Sequence, residues 1–301
     1  MPQKPLRFYQ IKNWGLFFAV VLLRLLHYLP YFLKFSLFNT LGAIAAKIDS
    51  KNRRILLKNL ELCFPEKSVE EREALMKACM QSHALAVMES AIAFWGTQHY
   101  LQKRVDIVGK EHLDKALLEN RGIMLITGHF TTLELQGRIM STLVDYASTA
   151  KHLKNPAADY ILNQARRRYL SKTFFPEDLK KVYQALQQGA VIGFLLDQDY
   201  GTKGSVFAPF FGVPTATTTT IARIVQNTNS IAIPCFVFRE KHRYCLEFYP
   251  PFENYPSDDP LKDATEFNAL VERCARRYPE QYGWTYKRFS TRPEGTAPRY
   301  D

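Results

Sequence analysis

The stretch from Gly122 to Gly137 reads GIMLITGHFTTLELQG. Ile123 to Ile126 is an unbroken apolar run with β-branched residues at both ends, the mark of a strand buried on both faces. Thr127-Gly128 stops it, and the leucine-rich segment that follows begins a helix, with Thr131 or Thr132 as its N-cap. His129 lies on the turn and Glu134 on the first turns of that helix. On one continuous helix the two would stand roughly 140° apart, because five steps make about 500°. They meet only if His129 precedes the helix. A strand end feeding a helix N-terminus is where open α/β sheets carry their chemistry. A histidine held by a carboxylate there can serve as a general base, one ring nitrogen fixed and the other free. Taken alone, the same residues would equally suit a capping histidine and a solvated carboxylate.

A second strand with the same character lies downstream. Ala190 to Leu196 is almost wholly apolar and runs into Asp197-Gln198-Asp199-Tyr200-Gly201, which places two carboxylates at a strand's C-terminal end. They could equally be turn-forming aspartates. Between the two strands, Asp145 to Ala150 reads as a strand and Ala157 to Tyr169 as a helix ending in Arg166-Arg167-Arg168. That cluster is either a solvated surface or a fork suited to phosphate oxygens. Asp178 to Gln188 is a helix stopped by Gly189. Phe207 to Pro214 (FAPFFGVP) reads as an unusually apolar loop that lines an acyl tunnel or seals the core. Thr215 to Asn227 reads as a helix, Ile231 to Phe238 and Tyr244 to Tyr249 as strands. Asp259-Pro260 caps a last amphipathic helix through Tyr278. Upstream, residues 51–103 are helical, with Ser68 and Glu71 forming a capping box before a helix from about Val69 to Phe94. Val105 to Val108 is a short strand and His112 to Asn120 a helix. Strands alternating with helices make this an α/β protein with a mostly parallel central sheet.

The N-terminus is different. Trp14 to Leu23 is ten uninterrupted apolar residues, and the apolar character continues to Ala46, broken by Arg24, His27, Pro30, Lys34 and Asn39. Trp14 to Leu33 has the length of a spanning helix, with Arg24 near its middle at a cost of about 2.5–3.5 kcal/mol. Residues 1–46 are therefore expected to be a membrane anchor, tilted or half-embedded, and residues 47–301 the main domain. Lys34, Lys47, Lys51, Arg53, Arg54 and Lys58 outnumber the cations before Trp14, which puts that domain on the cytoplasmic side. The net charge is +11, from 40 basic and 29 acidic residues, and favours anionic partners such as phospholipid or an acidic protein. No nucleic-acid module is visible, so nucleic acid is not an expected partner. Five widely spaced cysteines without CxxC or histidine at ligand spacing argue against zinc and for reduced thiols. There is no GxSxG, P-loop, GxGxxG or HExxH. Any chemistry must come from His129 and its surroundings.

Taken in order, these residues resemble the late acyltransferases of lipid A biosynthesis, the lauroyl/myristoyl transferase family within the HX4D/E glycerolipid acyltransferases. The resemblance spans the apolar N-terminus, Gly128-His129-X4-Glu134, Arg166 and Arg168, Asp197-Gln-Asp-Tyr-Gly201 with Phe207-Ala-Pro-Phe-Phe-Gly212, and the ending PEQYGWTYKRF. It implies direct acyl transfer without a covalent enzyme intermediate. His129, oriented by Glu134, would take the proton of a 3-hydroxyacyl hydroxyl on the (Kdo)2-lipid A precursor. That oxygen would attack the thioester of an acyl-acyl carrier protein carrying a lauroyl- or myristoyl-type chain. By the same resemblance Arg166, with Arg168 beside it, would hold an acceptor phosphate or shape the site. Asp197 would orient that Arg or bind the sugar. No metal or organic cofactor is implied, and the place of action is the bacterial inner membrane. Another lipid acceptor, a lysophospholipid or glycolipid, and a non-catalytic lipid-binding protein are the alternatives.

Overall fold

The computed structural model describes residues 10–48 and 50–300. The apolar N-terminal stretch is not one helix. It forms α1 (Trp14–His27) and α2 (Tyr31–Ala45), separated by a turn at Tyr28–Leu29. Pro30 stands at the N-cap of α2, where its missing N–H could not have continued α1. With 14 and 15 residues the two helices are each roughly 21–23 Å long, short of the ~30 Å hydrocarbon core. No helix among the described residues is long and apolar enough to cross a membrane, which corrects the expected single anchoring helix. Trp14, Phe18, Val21, Leu22 and Leu25 are nonetheless exposed along one side of α1, and Phe32, Leu33, Leu37, Leu41 and Ile44 along α2.

Two longer helices follow, α3 (Lys51–Cys63) and α4 (Val69–Trp95), the latter opened by the Ser68–Glu71 capping box. A short α5 (Gln98–Gln102) leads into β1 (Val105–Val108), α6 (Lys110–Leu118) and β2 (Ile123–Thr127). Next come α7 (Leu133–Met140), β3 (Tyr146–Thr149), α8 (Pro156–Arg166), β4 (Lys172–Phe174), α9 (Leu179–Gln187) and β5 (Val191–Leu195). FAPFFGVP is not a loop. It is the heart of a hairpin, β6 (Ser205–Phe210) and β7 (Val213–Thr218), turning at Phe211–Gly212 with φ positive at both residues. The helix expected from Thr215 therefore begins only at α10 (Thr220–Thr228). The chain closes with β8 (Ile231–Glu240), β9 (Arg243–Phe248) and α11 (Pro260–Arg277).

Seven strands pair in the order β1-β9-β8-β2-β5-β3-β4, parallel at every junction except β8/β9. β2 is buried along its whole length, and its residues alternate between two cores. Met124 and Ile126 join the side covered by α3, α9, α10 and α11; Ile123 and Leu125 join the side covered by α2, α4, α6 and α7. Phe210 and Phe211 of the β6–β7 turn pack against Phe64, Tyr282, Trp284 and Phe289, so this apolar segment seals the core. All five cysteines are buried and unpaired, as reduced thiols should be.

Candidate active site

β2 and β5 are neighbours with Thr127 opposite Leu195. Two residues beyond that pair, the register carries His129 opposite Asp197. Asp197 is 3% exposed and holds the histidine twice. Its Oδ2 accepts the backbone N–H of His129 at 2.7 Å, and its Oδ1 lies 2.5 Å from the ring Nδ1. Burial alone would raise the Asp197 pKa. The His129 ring, its backbone N–H and the Arg288 charge together outweigh burial and hold the carboxyl below the usual range.

The other ring nitrogen is also oriented. Gln198 Nε2 lies 2.9 Å from His129 Nε2, and Gln198 Oε1 accepts from Lys151 Nζ at 3.1 Å. An ammonium can only donate, so the amide turns its oxygen to Lys151 and its NH2 to the histidine. His129 Nε2 is then the acceptor, and the ring proton sits on Nδ1 against Asp197.

The C-terminal tail fixes the turn from the other side. Thr131 donates its N–H to the Gln281 carbonyl at 2.8 Å, and Phe130 bridges to Tyr282. A Cβ at position 283 would stand 2.7 Å from the His129 carbonyl oxygen, so only glycine fits there.

Glu134 makes no hydrogen bond to His129; its hydrogen bonds go elsewhere. Arg166 grips it with Nε and Nη2, and Tyr169 donates its hydroxyl to it at 3.3 Å. Burial alone would lower the Arg166 pKa, but the Glu134 partner raises it. The expected His129–Glu134 pair is thus replaced by two separate pairs, His129–Asp197 and Glu134–Arg166. Glu134 sits on the first turn of α7, facing the end of α8, whereas the strand register delivers Asp197 to the histidine. Asp197 likewise does not orient Arg166. Asp199 has a turn role, accepting from the N–H groups of Gly201 and Thr291.

His129, Arg166 and Gln198 share a cavity of about 470 Å³ whose walls are otherwise largely apolar, including Leu162, Phe174 and Ile224. Arg168 is not part of it. It is exposed and lines a separate polar cleft with Arg24 and Arg138. The β6–β7 turn contributes nothing to the cavity; Thr218, Thr220 and Ile221 do. No local pattern in the sequence marks Lys151, Gln198 as a hydrogen-bonding group, or Gly283, although the last two lie in motif-bearing stretches. Among the described residues Glu240, Cys245 and Glu247 are the group able to converge on a metal. Arg277 already bridges both glutamates.

A histidine–carboxylate dyad beside a largely apolar cavity, set at the strand ends of an α/β sheet, is an arrangement suited to general-base chemistry on an aliphatic substrate. The chain belongs to the bacterial lipid A biosynthesis acyltransferase family, whose profile matches residues 1–291. It is an O-acyltransferase. It is 33% identical over 292 residues to the lipid A biosynthesis palmitoleoyltransferase of Escherichia coli (strain K12), covering 96% of this chain and 95% of that one. The lauroyltransferase of the same organism gives the same identity and coverage. Its myristoyltransferase is 28% identical over 306 residues, covering 100% of this chain and 94% of that one. The solved 1-acyl-sn-glycerophosphate acyltransferase PlsC of Thermotoga maritima has a TM-score of 0.38 at 16% identity, over 77% of this chain and 98% of that one. That likeness is too loose to bear on the site.

Proposed function

We propose that the protein transfers a lauroyl- or myristoyl-type chain from acyl-acyl carrier protein to a hydroxyl of a primary 3-hydroxyacyl chain of the (Kdo)2-lipid A precursor. The observation that carries this reading is His129 lining a largely apolar cavity with its Nδ1 against the Asp197 carboxylate and its Nε2 facing the Gln198 amide. The acceptor hydroxyl displaces the Gln198 amide from Nε2 and gives up its proton there as its oxygen attacks the thioester carbonyl. The tetrahedral oxyanion collapses, the C–S bond breaks, and the imidazolium returns its proton to the departing thiolate. Asp197 stabilises that imidazolium. Arg166, held by Glu134 and Tyr169, faces the same cavity and stabilises negative charge, either the oxyanion or an acceptor phosphate. Arg168 belongs to the neighbouring cleft with Arg24 and Arg138, where an acceptor phosphate could lodge. Thioesters are activated, so no metal or organic cofactor is needed.

In this reading α1 and α2 lie in the interface of the inner membrane with their exposed apolar sides in the acyl region and the sheet on the cytoplasmic side. The test supplies tetra- and penta-acylated (Kdo)2-lipid A and a series of acyl-carrier-protein thioesters to wild type and His129→Ala. A mass gain of one acyl chain that disappears in the variant is the expected result. No gain on either acceptor sinks it.

A further inference from the structure

The turn between α1 and α2 closes over a second cavity, of about 660 Å³, that shares no lining residue with the one holding His129. Lys34 of α2, Arg104 before β1, Tyr100 of α5 and His242 in the β8–β9 hairpin form its walls with the turn itself. Lys34 is only 3% exposed, yet its ammonium donates to the His27 carbonyl, at 3.1 Å, and to no acid. Arg104 lays its guanidinium over the Tyr100 ring at 4.1 Å and the Tyr31 ring at 5.6 Å. No carboxylate among the described residues forms a salt bridge with either cation. Beside them the Tyr100 hydroxyl and Nδ1 of His27 are buried with no hydrogen-bond partner, while the Tyr31 hydroxyl faces that of the buried Tyr244. Burial, and then the Arg104 charge, lower the Lys34 pKa. Folded proteins pair their buried charges and satisfy their buried hydroxyls. Two adjacent cations and an orphaned hydroxyl around one cavity are the complement of an oxyanion.

The rim says which kind. Tyr28 and Phe32 line the cavity and are exposed, and Leu25 and Leu33 continue the apolar stripes of α1 and α2 away from it. A free anion would gain nothing from that rim; an amphiphile would. β8 runs parallel to β2 while β1 and β9 run opposite, so Arg104 and His242 lie at the same end of the sheet as His129. We propose that this cavity seats the phosphate of an anionic membrane phospholipid between Lys34 and Arg104, with the Tyr100 hydroxyl as a further donor and the acyl chains along α1 and α2.

The full chain is tested for binding to phosphatidylcholine vesicles with and without phosphatidylglycerol. Lys34→Met combined with Arg104→Gln should weaken binding to the phosphatidylglycerol vesicles by about tenfold or more and leave binding to the neutral vesicles unchanged. Equal affinity of wild type and variant for phosphatidylglycerol vesicles overturns the proposal. A raised KM for detergent-dispersed acceptor with unaltered vesicle binding also overturns it, assigning the cavity to the acceptor. Should the variant fail to fold, the wild type alone decides. Short-chain phosphatidylglycerol below its micellar concentration should raise the melting temperature where the same concentration of inorganic phosphate does not. No rise, or an equal rise with phosphate, overturns it.

Discussion

Asp197 accepts both the backbone N–H and the ring Nδ1–H of His129, so one buried carboxylate fixes the position of the turn and the tautomer of its side chain. Asp197→Asn keeps the shape and loses the charge. Turnover should fall on the order of 10²–10⁴-fold with little change in the KM for the acceptor, because the imidazolium of the transition state loses its counter-charge. Product masses under saturating donor check this; a fall below tenfold removes Asp197 from the mechanism.

The same carboxylate gives an acid limb to stability. Its folded pKa is depressed below 3.8, so its contribution is complete above that value and is lost as pH falls toward the lower folded value. Wild type should therefore lose more stability than Asp197→Asn between about pH 5 and pH 2. Parallel denaturation curves for the two proteins across that range would contradict the pairing.

Glu134 pairs with Arg166 rather than with His129. Glu134→Ala and Arg166→Ala should each lower turnover, and the double variant should be little worse than either, since both remove one unit. Additive losses in a double-mutant cycle would show that Glu134 has an independent role. The half-buried pair also contributes about 1–3 kcal/mol, to be read as a lowered melting temperature in either single variant.

Ile224 is nearly inaccessible to solvent and lines the apolar cavity beside Phe174. Ile224→Phe should shift donor preference toward chains shorter by about two carbons, at a stability cost of about 1–3 kcal/mol from overpacking. Competition among acyl-carrier-protein thioesters of graded length reports the shift. An unchanged length profile would place the acyl chain elsewhere.

Deleting residues 1–46 should not yield a soluble, active remainder. Phe38 belongs to the same core as Leu85, Met88 and Ile92 of α4, and its removal with α2 strips that helix of its cover. The expected product is an aggregating or thermally weakened chain. A truncated protein that melts like the wild type, as followed by circular dichroism, would show α1 and α2 to be detachable.

Local signals were legible and long-range ones were not. The Ser68–Glu71 box, the Gly stop after Gln188 and the apolar runs of β2 and β5 lie within short windows, and each element formed close to where those windows put it. Glu134 was the obvious partner for His129 because it lies five residues away; Asp197 lies 68 away and reaches it through strand register. The β6–β7 hairpin was hidden because Phe211, a bulky residue, takes a left-handed φ of 51° that sequence seldom advertises. β4 has only three residues, too few for any period to show. The N-terminal run looks like one span because its apolar character continues through Pro30, whereas the missing N–H of that proline divides it.

α2 crosses α4 so closely that a Cβ on Gly42 would stand 2.4 Å from the Gln81 backbone. Backbone against backbone leaves no hinge. One residue on, Ser82 hydrogen-bonds Thr131, two positions from His129. On the proposed seating of α1 and α2 in the bilayer interface, these contacts tie the footing to the turn that carries His129. The height of His129 above the lipid surface would then be set by the fold, and a hydroxyl that sits deeper or shallower than that height would be out of reach whatever its chemistry.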